Sequence, residues 1–284
     1  MRMVAKHFGW TDVALPIIGQ GTWHMGDSAR ARPAEVAALR AGLDLGMTHI
    51  DTAEMYGGGG AEELIAEALK DRRRSDVFLA SKVLPQNASY KGTLAAAEQS
   101  LRRLRTDYLD LYMLHWPGAH PIGETMRAME ELVAAAKIRY LGVSNFDVGE
   151  LRAAMKTLSR QRIAANQVLY NLGSRGIERD LVPFCEAEGI AVVGYTPFGN
   201  WPRAGSDGLR VLQQIGARYG KTPHQVALRF LTRAPSMFAI PKATDLAHVR
   251  ENAGAGDFNL SDEDIEAIDR AFPPPRRKVP LATG

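Results

Sequence analysis

Residues 17–26, "IIGQGTWHMG", decide between two α/β architectures. A short apolar run opens onto two glycines one residue apart, which is how the phosphate-binding turn of a doubly wound dinucleotide fold begins. The third glycine of that fingerprint is not at its place, and no helical spacing follows at once. The segment reads instead as one strand in a longer series.

Outward from it, short apolar stretches recur: "THID" (48–51), "VFLASK" (77–82), "LDLYMLH" (109–115), "IRYLGVS" (138–144), "AANQV" (164–168), "AVVGY" (191–195) and "MFAIPK" (237–242). Their shortness, β-branched content and flanking turn residues are those of buried strands. Between them the apolar spacing turns helical. Val36, Leu39 and Leu43 share a face, as do Leu94, Ala97, Leu101 and Leu104, and then Ile122, Met126, Met129, Val133 and Ala136. Helical readings also fit 60–71, 147–160, 179–188, 207–219, 222–234, 245–253 and 261–272. Strand then helix, about eight times over, implies parallel strands with helical crossovers. The fold class is therefore α/β, with a (β/α)8 barrel favoured over the rival open doubly wound sheet. Residues 3–16, "MVAKHFGWTDVALP", form an N-terminal hairpin plugging its bottom, and extra helices follow at the C-terminal end. No linker or composition shift divides the chain, so 1–284 reads as one domain. "FGNWPRAGSDG" (198–208) reads as a lid-like loop after the seventh strand.

The bulk numbers agree. A chain of 284 residues suits one such barrel, and the apolar and charged fractions, 45% and 24%, are those of an ordinary globular protein. A formal net charge of +3 argues against a nucleic-acid or membrane surface. A lone cysteine, Cys185, forms no internal disulfide and reads as packing. Residues 1–10 lack the apolar core of a signal peptide, and no apolar run is long enough to span a bilayer, so a cytoplasmic protein is expected. The histidines show no metal-ligand spacing.

From the second strand on, each strand closes on a polar residue: Asp51, Lys82, His115, Ser144, Gln167, Tyr195 and Lys242. In a closed barrel these ends meet on one face, where chemistry sits. Singly, each has a plain explanation. Asp51 could cap a helix, since "DTAE" has capping-box spacing. Lys82 could extend into solvent. Tyr56 and His115 could be packed core. Together, an acid, a phenol, an ammonium and an imidazole converge. Asp51 and Lys82 could pair, and the ammonium beside Tyr56 would lower the phenol's pKa, making a tunable proton donor for a carbonyl.

On these residues the sequence resembles the aldo-keto reductases. The resemblance is carried by "GQGTW" (19–23), "GMTHIDTAEMYGGGGAEELIAEAL" (46–69), "SLRRLRTDYLDLYMLHWP" (100–117), "IRYLGVSNF" (138–146), "NQVLYNL" (166–172), "GYTPFG" (194–199) and "IPKATDLAHVRENA" (240–253). It is similar in particular to compact bacterial members that reduce small aldehydes, including methylglyoxal-type 2-oxoaldehydes. The resemblance implies NADPH or NADP+ as cofactor, with NADH as the alternative, and Asp51, Tyr56, Lys82 and His115 as the catalytic four. Tyr56 would be the general acid, tuned by Lys82, which Asp51 holds. His115 would orient the carbonyl, with Trp23, Tyr56 and Trp116 beside it walling the substrate.

On the cofactor side the resemblance implies Gly21, Thr22, Trp23, Asp51, Ser144, Asn145, Gln167, Tyr195, Pro197, Phe198, Gly199, Ile240, Pro241, Lys242, Ala243, Thr244, His248, Glu251 and Asn252. Ser144, Asn145 and Gln167 would hold the carboxamide, and Tyr195 would stack on the nicotinamide. At the 2′-phosphate end this chain departs from the pattern. Ala243 stands where serine is common, and His248 where arginine is usual, with Arg250 two residues on. Trp23, His24, Met55, Trp116, Phe198 and Trp201 are candidate pocket walls, and the short tail after the last helix is a candidate cover over the site. The partner implied is a small carbonyl compound, acted on by a monomer. Two rival readings share the fold. One is a Schiff-base lyase with Lys82 as nucleophile, which a nearby Asp51 would oppose. The other is a nicotinamide-binding module without catalysis.

Overall fold

The computed structural model describes residues 3–284. Met1 and Arg2, the start of the segment tested for a signal peptide, lie outside them. Two short antiparallel strands, β1 (Ala5–His7) and β2 (Ala14–Pro16), make the expected hairpin. Phe8, just past β1, is fully buried and meets the rings of Phe78, Phe238 and His49 at 5.1, 5.2 and 6.0 Å. That plug closes one end of the molecule and leaves the other for chemistry.

Eight strands follow, each parallel to the one before: β3 (Gln20–Gly21), β4 (His49–Asp51), β5 (Phe78–Val83), β6 (Leu109–Leu114), β7 (Ile138–Ser144), β8 (Ile163–Leu169), β9 (Ala191–Tyr195) and β10 (Met237–Ala239). The sheet closes on itself. Ile18 bridges Ala239, the Gly19 N–H donates to the Ala239 carbonyl at 2.8 Å, and the Ala239 N–H donates to Ile17 at 3.0 Å. Closure joins β3 to β10 and so removes the open edges of the eight-stranded sheet.

The helices fall where the apolar spacing puts them: α1 (Arg32–Asp44), α2 (Gly60–Ala68), α3 (Tyr90–Leu104), α4 (Ile122–Ala134), α5 (Val148–Thr157), α6 (Leu181–Glu188), α7 (Asp207–Tyr219), α8 (Pro223–Leu231), α9 (Leu246–Ala253) and α10 (Asp262–Ala271). Three of them start in reciprocal capping boxes, on Asp147, Thr222 and Ser261, which satisfy backbone donors that a helix start otherwise leaves open. A large apolar core fills the space between sheet and helices, and a smaller one inside the barrel is built from side chains such as Ala80, Leu111, Met113 and Ala165. None of the described helices is long and apolar enough to cross a membrane.

Period-two alternation along a strand places His49 and Asp51 on one face of β4, and Phe78, Ala80 and Lys82 on one face of β5. Phe78 and Ala80 belong to the inner core, so Lys82 points inward above them. The strand ends thus bring Asp51, Lys82 and His115 to one rim.

Candidate active site

Lys82 is completely buried, and its Nζ donates to three oxygens: Asp51 Oδ2 at 2.7 Å, the Thr52 carbonyl at 2.8 Å and the Tyr56 hydroxyl at 3.2 Å. This rules out the solvent-reaching reading of the lysine. Asp51 caps no helix either, because α2 begins at Gly60 behind Gly59. Its second oxygen accepts from Gln167 Nε2 at 2.7 Å, and the Thr22 hydroxyl donates to its carbonyl at 2.9 Å. Both oxygens of a buried carboxylate are therefore partnered, as its desolvation requires.

Tyr56 is carried by the loop after β4. Its ring meets Trp23 edge-on at 4.9 Å and His115 edge-on at 5.7 Å. The glycines after it have a local cause. Gly57, Gly58 and Gly59 take φ of +59°, +60° and +98°, a left-handed run that side chains with a Cβ disfavour. The turn also packs on the loop after β3. A Cβ on Gly26 would stand 2.4 Å from the Gly60 carbonyl carbon and 2.5 Å from the Ala61 nitrogen. That backbone contact fixes the Tyr56 loop against the loop bearing Trp23.

The electrostatics correct one expectation. Burial raises the Tyr56 pKa, and it outweighs the lowering exerted by the Lys82 ammonium, with Asp51 adding to the rise. The resting phenol keeps its proton. Burial also works against the charge on Lys82, but Asp51 and Tyr56 more than offset it and the lysine pKa is raised. His115 is pushed down to about 2 by burial and by Lys82, so its imidazole is neutral, and its Nδ1 has no hydrogen-bond partner.

A cavity of about 270 Å3 joins Asp51, Tyr56 and His115, with Lys82 buried behind its wall. It is lined by Gly21, Thr22, Trp23, Asp51, Met55, Tyr56, His115, Trp116, Ser144, Asn145, Gln167, Tyr195, Pro197, Ile240 and Lys242, and also by Thr196 and Gly284. The last two escaped the sequence reading. Thr196, exposed and at φ +53°, has no titratable side chain to mark it, and Gly284 ends a proline-rich tail with no periodicity. Its N–H donates to the Tyr195 hydroxyl at 3.1 Å. Asn145, at φ +61°, links the rim: its Nδ2 donates to the His115 carbonyl at 3.1 Å and to Ser144 Oγ at 3.2 Å, and its Oδ1 accepts from Tyr195 at 2.8 Å.

Other candidates fall elsewhere. His24 is exposed and paired with Asp27. Phe198 and Trp201 pack with His224, whose ring stacks on Trp201 at 4.0 Å, and neither they nor Gly199 line the catalytic cavity. Pro241 directly precedes Lys242, and Ala243, Thr244, His248, Glu251 and Asn252 lie on the segment that leaves it and becomes α9. Glu251 already accepts from the Thr222 hydroxyl at 2.6 Å. Cys185 is buried and its thiol is raised to about 12 by burial, which makes it inert.

The cavity has the polar groups a nicotinamide carboxamide needs. The Ser144 hydroxyl accepts from Asn145 and Gln167 donates to Asp51, leaving the Ser144 O–H and Gln167 Oε1 as one free donor and one free acceptor. Beside them stands the half-buried ring of Tyr195. A model of the aldo/keto reductase family matches residues 17–272. The chain belongs to this family. Within it, the chain is 46% identical over 272 residues to methylglyoxal reductase YeaE of Escherichia coli, covering 95% of both chains. It is 34% identical to a glyoxal reductase of Bacillus subtilis, over 90% of this chain and 89% of that one. A crystal structure of an aldo-keto reductase from Klebsiella pneumoniae in complex with NADPH superposes with a TM-score of 0.92, at 47% identity and full coverage of both chains.

Proposed function

We propose that this aldo-keto reductase uses NADPH to reduce small aldehydes and ketones, 2-oxoaldehydes among them, to alcohols, with Tyr56 as the proton donor. One observation carries the reading: a protonated phenol held 3.2 Å from a fully buried ammonium, beside a neutral imidazole, inside one cavity. When bound, NADPH supplies the hydride. The chain's own residues do the rest. Tyr56 and His115 face the same space, so a carbonyl oxygen placed there meets a phenol O–H and an imidazole that can donate or accept. As charge grows on that oxygen, Tyr56 gives up its proton, and the phenolate left behind is stabilised by Lys82. Asp51 keeps Lys82 charged and oriented. Ser144, Asn145 and Gln167 fix the carboxamide, and Tyr195 offers its ring face to the nicotinamide, which sets the approach of the reacting carbon. Trp23 and Trp116 wall the substrate.

Phosphate selection falls to Lys242, His248 and Arg250. The similarity to methylglyoxal and glyoxal reductases supports short oxoaldehydes as substrates. The lyase reading loses ground on Lys82 itself: a raised pKa and a carboxylate at 2.7 Å leave no free amine to attack a carbonyl. The test is NADPH-dependent turnover of methylglyoxal, glyoxal and benzaldehyde by the protein and by Tyr56→Phe. The variant keeps cofactor binding and loses about 10²-fold or more in kcat, the lower range for a general acid. Undiminished reduction by Tyr56→Phe would remove Tyr56 from the chemistry.

A further inference from the structure

The catalytic cavity continues past Met55, Trp116 and Asn145 into an outer trough of about 650 Å3. Leu281, Thr283 and Gly284 of the C-terminal tail border it, and so do Pro117, Asp147 and Glu150. With the carbonyl at Tyr56 and the nicotinamide against Tyr195, this trough takes the remainder of any longer substrate. Its ionisable lining is acidic throughout. Asp147 and Glu150 are held rigidly by the capping box of α5: the Glu150 N–H donates to Asp147 Oδ1 and the Asp147 N–H to Glu150 Oε2, both at 2.8 Å. One oxygen of each carboxylate is used in this way, and the other is left for solvent or substrate.

No cation on the substrate side answers them. Lys82 is spent on Asp51, and Lys242 belongs to the cofactor side. The tail's Lys278 lies near enough to feel Asp147, but it is paired with Asp180 at 2.7 Å in the adjoining cavity, which Asp147 and Asp180 both line. The adjoining cavity's other cation, Arg175, is buried and paired with Glu178 and Asp269. The trough's own lining is thus two carboxylates and no cationic side chain, which leaves it negative, although the positive end of α5 offsets part of that charge.

We propose that the Asp147–Glu150 rim sets substrate charge: the enzyme favours neutral and cationic carbonyl compounds and discriminates against those with a carboxylate or phosphate beyond the carbonyl. This rests on the reductase reading above. The mechanism is repulsion, felt as the distal group enters the trough and carried into the transition state. Its sign opposes that of the whole molecule, whose formal net charge of +3 would draw anions in.

The experiment compares kcat/KM for benzaldehyde, 4-carboxybenzaldehyde and 4-(trimethylammonio)benzaldehyde in the wild-type enzyme and in the double variant Asp147→Asn, Glu150→Gln. Asparagine and glutamine keep the capping oxygens, so α5 keeps its start while both charges go. At low ionic strength the double variant gains about fivefold on the carboxylate, the size of two unit charges acting through roughly 8 Å of watery dielectric. It loses a similar factor on the ammonium compound and is unchanged on benzaldehyde. Added salt shrinks both differences. The wild-type enzyme supplies a second readout that needs no variant: its preference for benzaldehyde over 4-carboxybenzaldehyde falls as salt rises. Normal turnover of benzaldehyde with a carboxylate ratio indifferent to both substitution and salt overturns the rim proposal alone. Absence of NADPH-dependent turnover with every aldehyde overturns the reductase reading and the rim proposal with it.

Discussion

Tyr56 is 7% exposed, and its hydroxyl lies within hydrogen-bond reach of a fully buried ammonium. Neighbour and depth pull its pKa in opposite directions, and depth prevails. The sequence shows that a lysine will stand near the phenol, since strand ends can be counted. It does not show how much water is excluded there, because burial comes from side chains distant in sequence, such as Trp23 packed on the ring. The same limit explains why Asp51 could be read as a cap: its two partners, Lys82 and Gln167, are 31 and 116 residues away. A second residue-scale consequence concerns the phosphate end. His248 is exposed at the start of α9, where Asp245 already takes the Ala247 and His248 N–H groups at 2.7 and 3.4 Å. A phosphate there depends on side-chain cations, and imidazole is one only when protonated. Measured by fluorescence titration at low ionic strength, NADPH affinity is lower in His248→Ala than in the wild-type protein. NADH affinity does not distinguish the two. Identical NADPH affinities would take His248 out of the phosphate site.

At the scale of elements, each expected strand and helix is present, because apolar spacing encodes them directly. The strands shortened most are β3 and β10, which meet at the closing seam. There only Gln20–Gly21 and Met237–Ala239 keep ladder geometry, although the apolar runs extend beyond them. Loop-to-loop contacts were not legible. Nothing in the spacing of "WHMG" and "MYGGGG" says that Gly26 and Gly60 touch backbone to backbone. That contact makes a specific prediction. Gly26→Ala forces a Cβ at φ +77° into the Gly60–Ala61 peptide, and it costs about 3 kcal/mol in urea unfolding. It lowers kcat as well, by loosening the loop that carries Tyr56. Gly46→Ala, at φ +92° but with open space around its Cβ, carries the conformational cost alone and leaves kcat unchanged. Equal kcat in the two variants would uncouple the loop contact from the chemistry.

For the whole molecule, closure of the barrel turns a linear order of strand ends into a ring of side chains around one cavity. That is why residues scattered from Gly21 to Lys242 could be assigned to one face from the sequence, and the short tail expected over the site, while the residue by which the tail reaches the cavity, Gly284, could not be named. Folding also leaves two histidines uncharged in dry surroundings. His49, inside the barrel, is pushed down to about 4, chiefly by burial, and His115 to about 2. The unfolded chain protonates both near pH 6.5, so it binds more protons than the folded protein below that pH. Stability is therefore whole above about pH 6.5 and falls as pH drops toward 4, by up to about 1.4 kcal/mol per pH unit for each histidine. Urea unfolding at about pH 7, 6 and 5 reads the slope, and His49→Phe removes one histidine's share of it. A stability independent of pH across that window would contradict the buried, neutral state of both rings.

The seclusion of Lys82 has one more effect. Short oxoaldehydes, the substrates proposed above, condense readily with free amines, so an enzyme acting on them meets an agent of its own glycation. Surface lysines such as Lys70, Lys91 and Lys156 stand open to such adducts. Lys82 does not: with no exposed surface and its nitrogen held as an ammonium by Asp51, it has no lone pair to offer such compounds.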